Sequence, residues 1–196
     1  MSNNYLSLLR LSPADQELIA AAFDASSHAY APYSCFAVGC SIRTDLGHIY
    51  SGANFENVSY GLSMCAEVSA LAAVHWSGDF PIDAVAVAGH AFLDSSSSGT
   101  IVTPCGRCRQ LIFEAAQLSS RDIRILCADS VLNQVLVTSV SLLLPEAFGP
   151  ENLGVKPKWP ELKQQLQRRV AEILRRQEIA KSGNKDCSKT VRQRAR

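Results

Sequence analysis

Apolar residues in this chain cluster in short runs separated by polar, Gly- and Pro-marked breaks, and the spacing within each run separates helices from strands. Ser12-Pro13-Ala14-Asp15 places a capping Ser, a Pro at the first helical position and an acid in the first turn ahead of a run that reaches about residue 28. This predicts a helix that the Ala31-Pro32-Tyr33-Ser34 stretch ends. Residues 36–42 are apolar and strand-like, Thr44-Asp45-Leu46-Gly47 makes a turn, and residues 48–53 return as a second strand of a hairpin. Residues 65–76, rich in Ala, Leu and Val, are long enough for a helix. Residues 82–88 form a continuous apolar run, the mark of a strand covered on both faces. A loop is expected over 89–100, where Ser95 to Ser98 and Gly99 cluster. A helix over 106–117, a buried strand over 123–128 and a fifth strand over 135–140 follow. Strands alternating with helices predict an α/β fold, a three-layer α/β/α domain with a five-stranded mixed sheet.

The pattern changes after Phe148-Gly149-Pro150. Pro157 and Pro160 lead into Leu162, Leu166, Val170, Ile173 and Leu174, spaced for one face of a helix. Beyond Lys181 the chain is polar and basic and is expected to fray. The expected division is a domain over 1–154 and a basic helix and tail over 155–196. Charge follows the same boundary: residues 1–155 carry 6 Lys and Arg against 14 Asp and Glu, and residues 156–196 carry 13 against 4. The net +1 therefore conceals an acidic domain and a basic tail, which is not the distribution of a domain built around a phosphate backbone. Trp159 alone offers the tail a base-stacking aromatic, so nucleic acid is not expected as its partner, and docking of the apolar stripe is. No apolar run reaches membrane-spanning length, and the N-terminus lacks the basic region and cleavage site of a signal peptide. A cytoplasmic protein is expected, with no membrane partner.

Seven cysteines, an odd number, suit metal binding or burial in a reducing compartment better than disulfides. Cys35, Cys40 and Cys127 lie on or beside expected strands and read as small packed hydrophobes; Cys187 lies in the tail. His28, His48, His75 and His90 show no ligand spacing among themselves. Two segments differ: Cys65-Ala66-Glu67 and Pro104-Cys105-Gly106-Arg107-Cys108, each at an expected helix start. Helix N-termini favour thiolate over thiol. Three thiolates converging on Zn²⁺ would leave one tetrahedral position open for water, whose pKa zinc lowers to about 7. A carboxylate two residues after a ligand, Glu67, can then move that water's proton. Alone, the CxxC is equally a redox pair, a structural half-site or two buried thiols, and Cys127 or His90 could complete a closed structural zinc site. Together and in this order the segments match the three-cysteine variant of the zinc deaminase signature, which general accounts of these enzymes describe.

Five blocks carry a wider resemblance: Tyr30-Ala31-Pro32-Tyr33-Ser34, Gly52-Ala53-Asn54-Phe55-Glu56-Asn57, Cys65-Ala66-Glu67, Pro104-Cys105-Gly106-Arg107-Cys108-Arg109-Gln110 and Leu144-Pro145-Glu146-Ala147-Phe148-Gly149-Pro150. Over about residues 12–153 the chain resembles the small, homotetrameric cytidine deaminases. The resemblance implies that Cys65, Cys105 and Cys108 hold Zn²⁺ and that Glu67 shuttles protons between water, N3 of the base and the departing amine. It also implies backbone contacts from Ala66 and Pro104 to the base edge, and hydrogen bonds from Asn54 and Glu56 to the ribose. Phe36 would flank the base, with Tyr60 and Phe148 reaching in from neighbouring subunits. The implied reaction is deamination of cytidine or deoxycytidine with release of ammonia, by a homo-oligomer acting on a small-molecule nucleoside.

The chain departs from the family pattern at one position: Val68 stands where the family usually has an arginine that offsets the negative charge of three thiolates. Arg107 or Arg109 is placed to compensate. Resistance deaminases acting on blasticidin S also resemble this chain in having an aliphatic residue there, so a modified cytosine nucleoside or a blasticidin S-like antibiotic is an alternative substrate. A polynucleotide-editing or nucleic-acid-binding relative is a third reading, opposed by the acidic domain and by the closed pocket that the resemblance implies.

Overall fold

In the computed structural model, which describes residues 4–93, 99–154 and 159–193, the central strand β4 (Ile82–Ala91) explains most of the architecture. Its side chains alternate in size as well as direction. Val85 and Val87 point to one face, where they pack with Ala70 and Val74 of α2 (Ala66–Ser77) and Ile112 and Ala115 of α3 (Gly106–Leu118). Ala84, Ala86 and Ala88 point to the other, against Leu18, Ile19 and Ala22 of α1 (Pro13–Ala25). A strand buried on both faces needs apolar residues at every position, which is why the run reads as continuous.

Around β4 the sheet takes the order β1-β6-β5-β4-β2-β3, with β2 (Phe36–Thr44), β3 (Ile49–Ala53), β5 (Arg124–Ala128) and β6 (Gln134–Ser139). Only β4 and β5 run parallel, joined through α3; the other neighbours are antiparallel. The mixed three-layer fold stands as expected, but the sheet has six strands, not five. The additional strand, β1 (Asn4–Ser7), pairs with 134–137 of β6 and is mostly exposed. Its partners lie about 130 residues away and its side chains show no buried face, so periodicity within the segment could not announce it. The expected loop over 89–100 also starts late: β4 continues to Ala91, and 94–98 lie outside the described residues. After β6 a short helix α4 (Val140–Leu143) precedes a 144–149 connection.

Close approach of α1 to β2 requires Gly39, where a Cβ would sit 1.9 Å from the Ala22 carbonyl oxygen. The helix start is as the sequence implied, with Ser12 accepting from the Asp15 backbone N–H at 3.2 Å and Pro13 in first position. Asp15 does more than cap. Its buried carboxylate accepts from Arg43 on β2 at 2.9 Å and Arg124 on β5 at 2.6 Å, tying α1 across the sheet. Burial would raise the Asp15 carboxyl above its ordinary 3.8, but the bonds from Arg124, Arg43 and Ser12 outweigh it and hold it below. Because the folded value is depressed, this stabilisation is present above 3.8 and is lost as pH falls through the lowered value. Asp15→Asn should therefore cost about 3 kcal/mol at neutral pH, leaving Arg124 without its carboxylate and Arg43 with Asp83 alone. Urea unfolding followed against pH should show that difference shrinking in acid.

The chain divides into two units, 1–155 and 156–196. The second contains α5 (Trp159–Gln193), which continues through the segment expected to fray. Its Leu162, Leu166, Val170 and Ile173 are each about half exposed, and Glu172 bridges Arg169 and Arg176 along the helix at 3.1 and 2.5 Å. Among the described residues no helix is long and apolar enough to cross a membrane.

Candidate active site

Cys65 is the N-cap of α2 and Cys105 the N-cap of α3, both in extended backbone conformation. Neither helix receives a hydrogen bond from its cap side chain, so both sulfurs are available to another partner. Cys108, buried in the first turn of α3, supplies the third. The three Sγ atoms lie within 4.8 Å of one another, and those of Cys65 and Cys105 are 3.8 Å apart. Tetrahedral zinc with Zn–S bonds of about 2.3 Å spaces its sulfurs about 3.8 Å apart, so the cradle fits that ion. Among the described residues the cluster holds these three ligands, and neither Cys127 nor His90 joins it. His90 stacks instead on Phe23 of α1, ring centroids 5.3 Å apart. A fourth position therefore stays open, as a catalytic rather than a closed structural site needs.

The electrostatics of the sulfurs point the same way. Burial pushes the Cys65 thiol up, with the charges of Glu67 and Cys105 adding to it. Cys108 is pushed far up by burial and by Glu67 and Cys65. At Cys105 burial is outweighed by the backbone N–H groups of Cys108 and Arg107 and by the neighbouring thiols, and the thiol is held below its ordinary value. Three sulfurs this close cannot all ionise unaided; a divalent cation at their centre resolves the repulsion. Behind them, burial first and Glu67 second push Cys127 up to about 12, and Cys40 is likewise raised. Both remain the packed thiols that the sequence suggested.

Glu67 stands at the second position of α2, two residues after its ligand, and is 4 % exposed. Burial raises its carboxyl above the ordinary value, while a bond with the Cys108 thiol pulls the other way. It faces a cavity of about 230 Å³ that Cys65, Ala66, Cys105, Asn54 and Glu56 also line. Asn54 is clamped by β2: its Oδ1 accepts from Val38 N at 2.9 Å and its Nδ2 donates to the Phe36 carbonyl at 3.0 Å. Glu56 Oε2 accepts from the backbone N–H groups of Tyr33 and Ser34 at 3.0 and 3.2 Å. The Ser34 hydroxyl and those amides hold its carboxyl below the ordinary value. Both side chains are thus fixed before any ligand arrives.

Pro104 is buried between two lining residues, Thr103 and Cys105. Phe36, Tyr60 and Phe148 do not line this cavity within the single chain. Phe36 lies on β2 with its ring against Gly89, where a Cβ would be 3.0 Å from its Cε1. Tyr60 and Phe148 are 66 % and 59 % exposed. Sequence reasoning missed Val38, Ser63, Met64, Val102 and Thr103 as lining residues. Val38 shares the strand face of Phe36, two residues on, and Val102 and Thr103 directly precede the Pro104 motif; those were the available signals.

Arg107 and Arg109, the cations expected to compensate for Val68, both bond backbone carbonyls. Arg107 reaches the Ser63 carbonyl at 3.5 Å, and Arg109 donates to the carbonyls of Pro104 at 2.7 Å and Leu143 at 3.0 Å. The Arg109 charge is still felt beside the cluster, where it pulls the Cys127 thiol down against burial and Glu67.

Residues 12–120 match the family model described as the cytidine and deoxycytidylate deaminase zinc-binding region. A cytidine deaminase of Mycobacterium tuberculosis is 39 % identical over 133 residues, 67 % of this chain and 87 % of that one. A cytidine deaminase of Halalkalibacterium halodurans is 36 % identical over 139 residues, covering 71 % of this chain and 97 % of its own. The crystal structure of cytidine deaminase from Burkholderia pseudomallei superposes with a TM-score of 0.60 at 37 % identity, covering 70 % of this chain and all of that one. Sequence, fold and the three-cysteine zinc cradle agree, and the chain belongs to the cytidine deaminase family.

Proposed function

We propose that the first unit is the catalytic domain and that it deaminates free cytidine or deoxycytidine to uridine or deoxyuridine, releasing ammonia. One observation carries the substrate class: a single small cavity is lined by Glu67 and by Cys65 and Cys105 of the cradle together with Asn54 and Glu56, so base chemistry and sugar recognition fall within one nucleoside's reach. Zinc held by Cys65, Cys105 and Cys108 would supply a water activated at neutral pH. Glu67 takes one proton of the attacking water and delivers it to N3 as the oxygen adds to C4. It then takes the remaining proton of that oxygen and hands it to the exocyclic nitrogen, the C4–N bond breaking as the C4 carbonyl forms, so the amine leaves as ammonia. Backbone groups at Ala66 and Pro104 meet the base edge, Phe36 flanks the ring, and Asn54 and Glu56 bond the ribose hydroxyls. The chain works as a homo-oligomer in the cytoplasm, with Tyr60 and Phe148 completing a neighbour's site. Exposed Phe55, Val58, Tyr60, Leu62 and Met64, all within one short stretch, support such an interface.

Val68 favours a second reading, a cytosine nucleoside modified at the amine or a blasticidin S-like antibiotic, because it stands where the family usually places an arginine beside the thiolates. An ammonia-release assay on cytidine, deoxycytidine, 4-substituted cytidines, blasticidin S and single-stranded RNA separates the readings. Cytidine and deoxycytidine should be the best substrates and RNA inert; preference for a 4-substituted substrate, reversed toward cytidine by Val68→Arg, would establish the second reading. A Val68→Arg variant with unchanged relative kcat/KM would remove it.

A further inference from the structure

Phe148 poses a physical problem. An exposed ring gains little from burial within its own chain, so apolar packing cannot fix its position. Three features of α3 do so instead. Arg109 spans the gap between the metal loop and the end of α4: its Nε and Nη1 reach the Pro104 and Leu143 carbonyls, and its Nη2 lies 3.4 Å from Thr103 Oγ1. Gln110, the next residue, donates Nε2 to the carbonyl of Phe148 itself at 2.8 Å. Two turns further on, Gly149 lies so tightly over the helix that a Cβ would be 2.6 Å from Phe113 Cε1 and 2.9 Å from Gln117 Oε1. The intervening Glu146 adopts a left-handed conformation, φ 54°, which a non-glycine residue keeps only where its surroundings impose it.

We propose that Arg109 and Gln110 are positioning residues that fasten the 144–149 strap, and with it the Phe148 ring, to the helix bearing Cys105 and Cys108. The two tethers differ in what they hold. Arg109 grips both the ligand loop and the base of the strap, so it serves zinc retention and ring placement together. Gln110 grips the strap alone. The geometry makes α3 a rigid rod between one chain's metal ligands and the aromatic group that the same chain offers to a neighbour's site, so the helix and not the ring's own packing sets where the ring stands. This rests on the reading that Phe148 contacts the nucleoside.

The test uses the full chain and its Gln110→Ala, Gln110→Glu, Phe148→Ala, Gln110→Ala/Phe148→Ala and Arg109→Lys variants, with kcat and KM for cytidine and the rate of zinc release to a chelator measured on each. Gln110→Ala and the isosteric Gln110→Glu should each raise KM about five- to tenfold, the scale of one lost hydrogen bond, with zinc release unchanged. In the Phe148→Ala background Gln110→Ala should add nothing. Arg109→Lys, which keeps the charge but loses the fork, should raise KM and accelerate zinc release together. The inference is overturned if the Gln110 variants keep the parent KM, if their effect multiplies with that of Phe148→Ala, or if Arg109→Lys holds zinc as the parent does. An unchanged KM in Phe148→Ala alone would instead refute the role given to Phe148, and the inference with it.

Discussion

Replacing Glu67 by Gln should leave zinc bound and the fold intact while lowering kcat by about a thousandfold, within the range that a positioned proton carrier contributes. The side chains are nearly isosteric, so the 4 % exposed site gains no cavity and the contacts around α2 persist. What changes is proton capacity. A carboxyl can carry one proton of the water to N3 and the other to the amine; an amide can do neither. KM should move far less than kcat, because Asn54 and Glu56, fixed by β2 and by the Tyr33 and Ser34 amides, bind without reference to the reaction. Steady-state kinetics beside zinc determination by plasma mass spectrometry make the comparison. Full activity in Glu67→Gln would remove the proposed mechanism; loss of zinc would show that the residue supports the metal instead.

Removal of the metal should be felt well beyond the active site. Cys65 and Cys105 are N-caps without cap hydrogen bonds of their own, so the ion joins the starts of two helices that otherwise share little contact there. Stripping zinc with a chelator should abolish activity and lower the melting temperature by roughly 10 °C, as expected when about 4 kcal/mol of binding energy is withdrawn from a domain this size. Cys105→Ala should reproduce the loss with zinc in the buffer, since two sulfurs make a poor site, and added zinc should not restore it. Calorimetry with and without chelator decides it; an unshifted transition would mean that the cradle assembles without its ion.

The sequence disclosed the parts of the site that lie close together in the chain. Cys65 and Glu67 share a helix turn, as do Cys105 and Cys108, and the proline before Cys105 marks the entry to its helix. Asn54 and Glu56 became legible through a wider resemblance, because two polar residues after a strand are ordinary on their own. The acceptors of Arg109 and Gln110 were not legible: Leu143 and Phe148 are brought to α3 by tertiary folding, and a carbonyl oxygen has no sequence signature. Arg107 and Arg109 teach the same lesson, since their nearness to the cysteines in sequence does not say which acceptors their long side chains find. The edge strand β1 escaped because an exposed four-residue strand borrows its regularity from its partner.

The alternation along β4 also governs how this protein can change over evolutionary time. Toward α1 the strand presents Ala84, Ala86 and Ala88, and Gly39 lets the Ala22 backbone come nearer than a methyl group would allow. On that side β4 has only methyl groups to trim and β2 has no room to add at Gly39, so α1 is the less adjustable layer. Toward α2 and α3 stand Val85 and Val87, whose volume can be exchanged with Ile112 or Val74 without rebuilding the layer. The helices that carry the cysteines thus rest on the adjustable side of the sheet. A lineage pressed toward a larger or differently shaped substrate has a route through coupled volume swaps under α2 and α3, and a narrower one through α1.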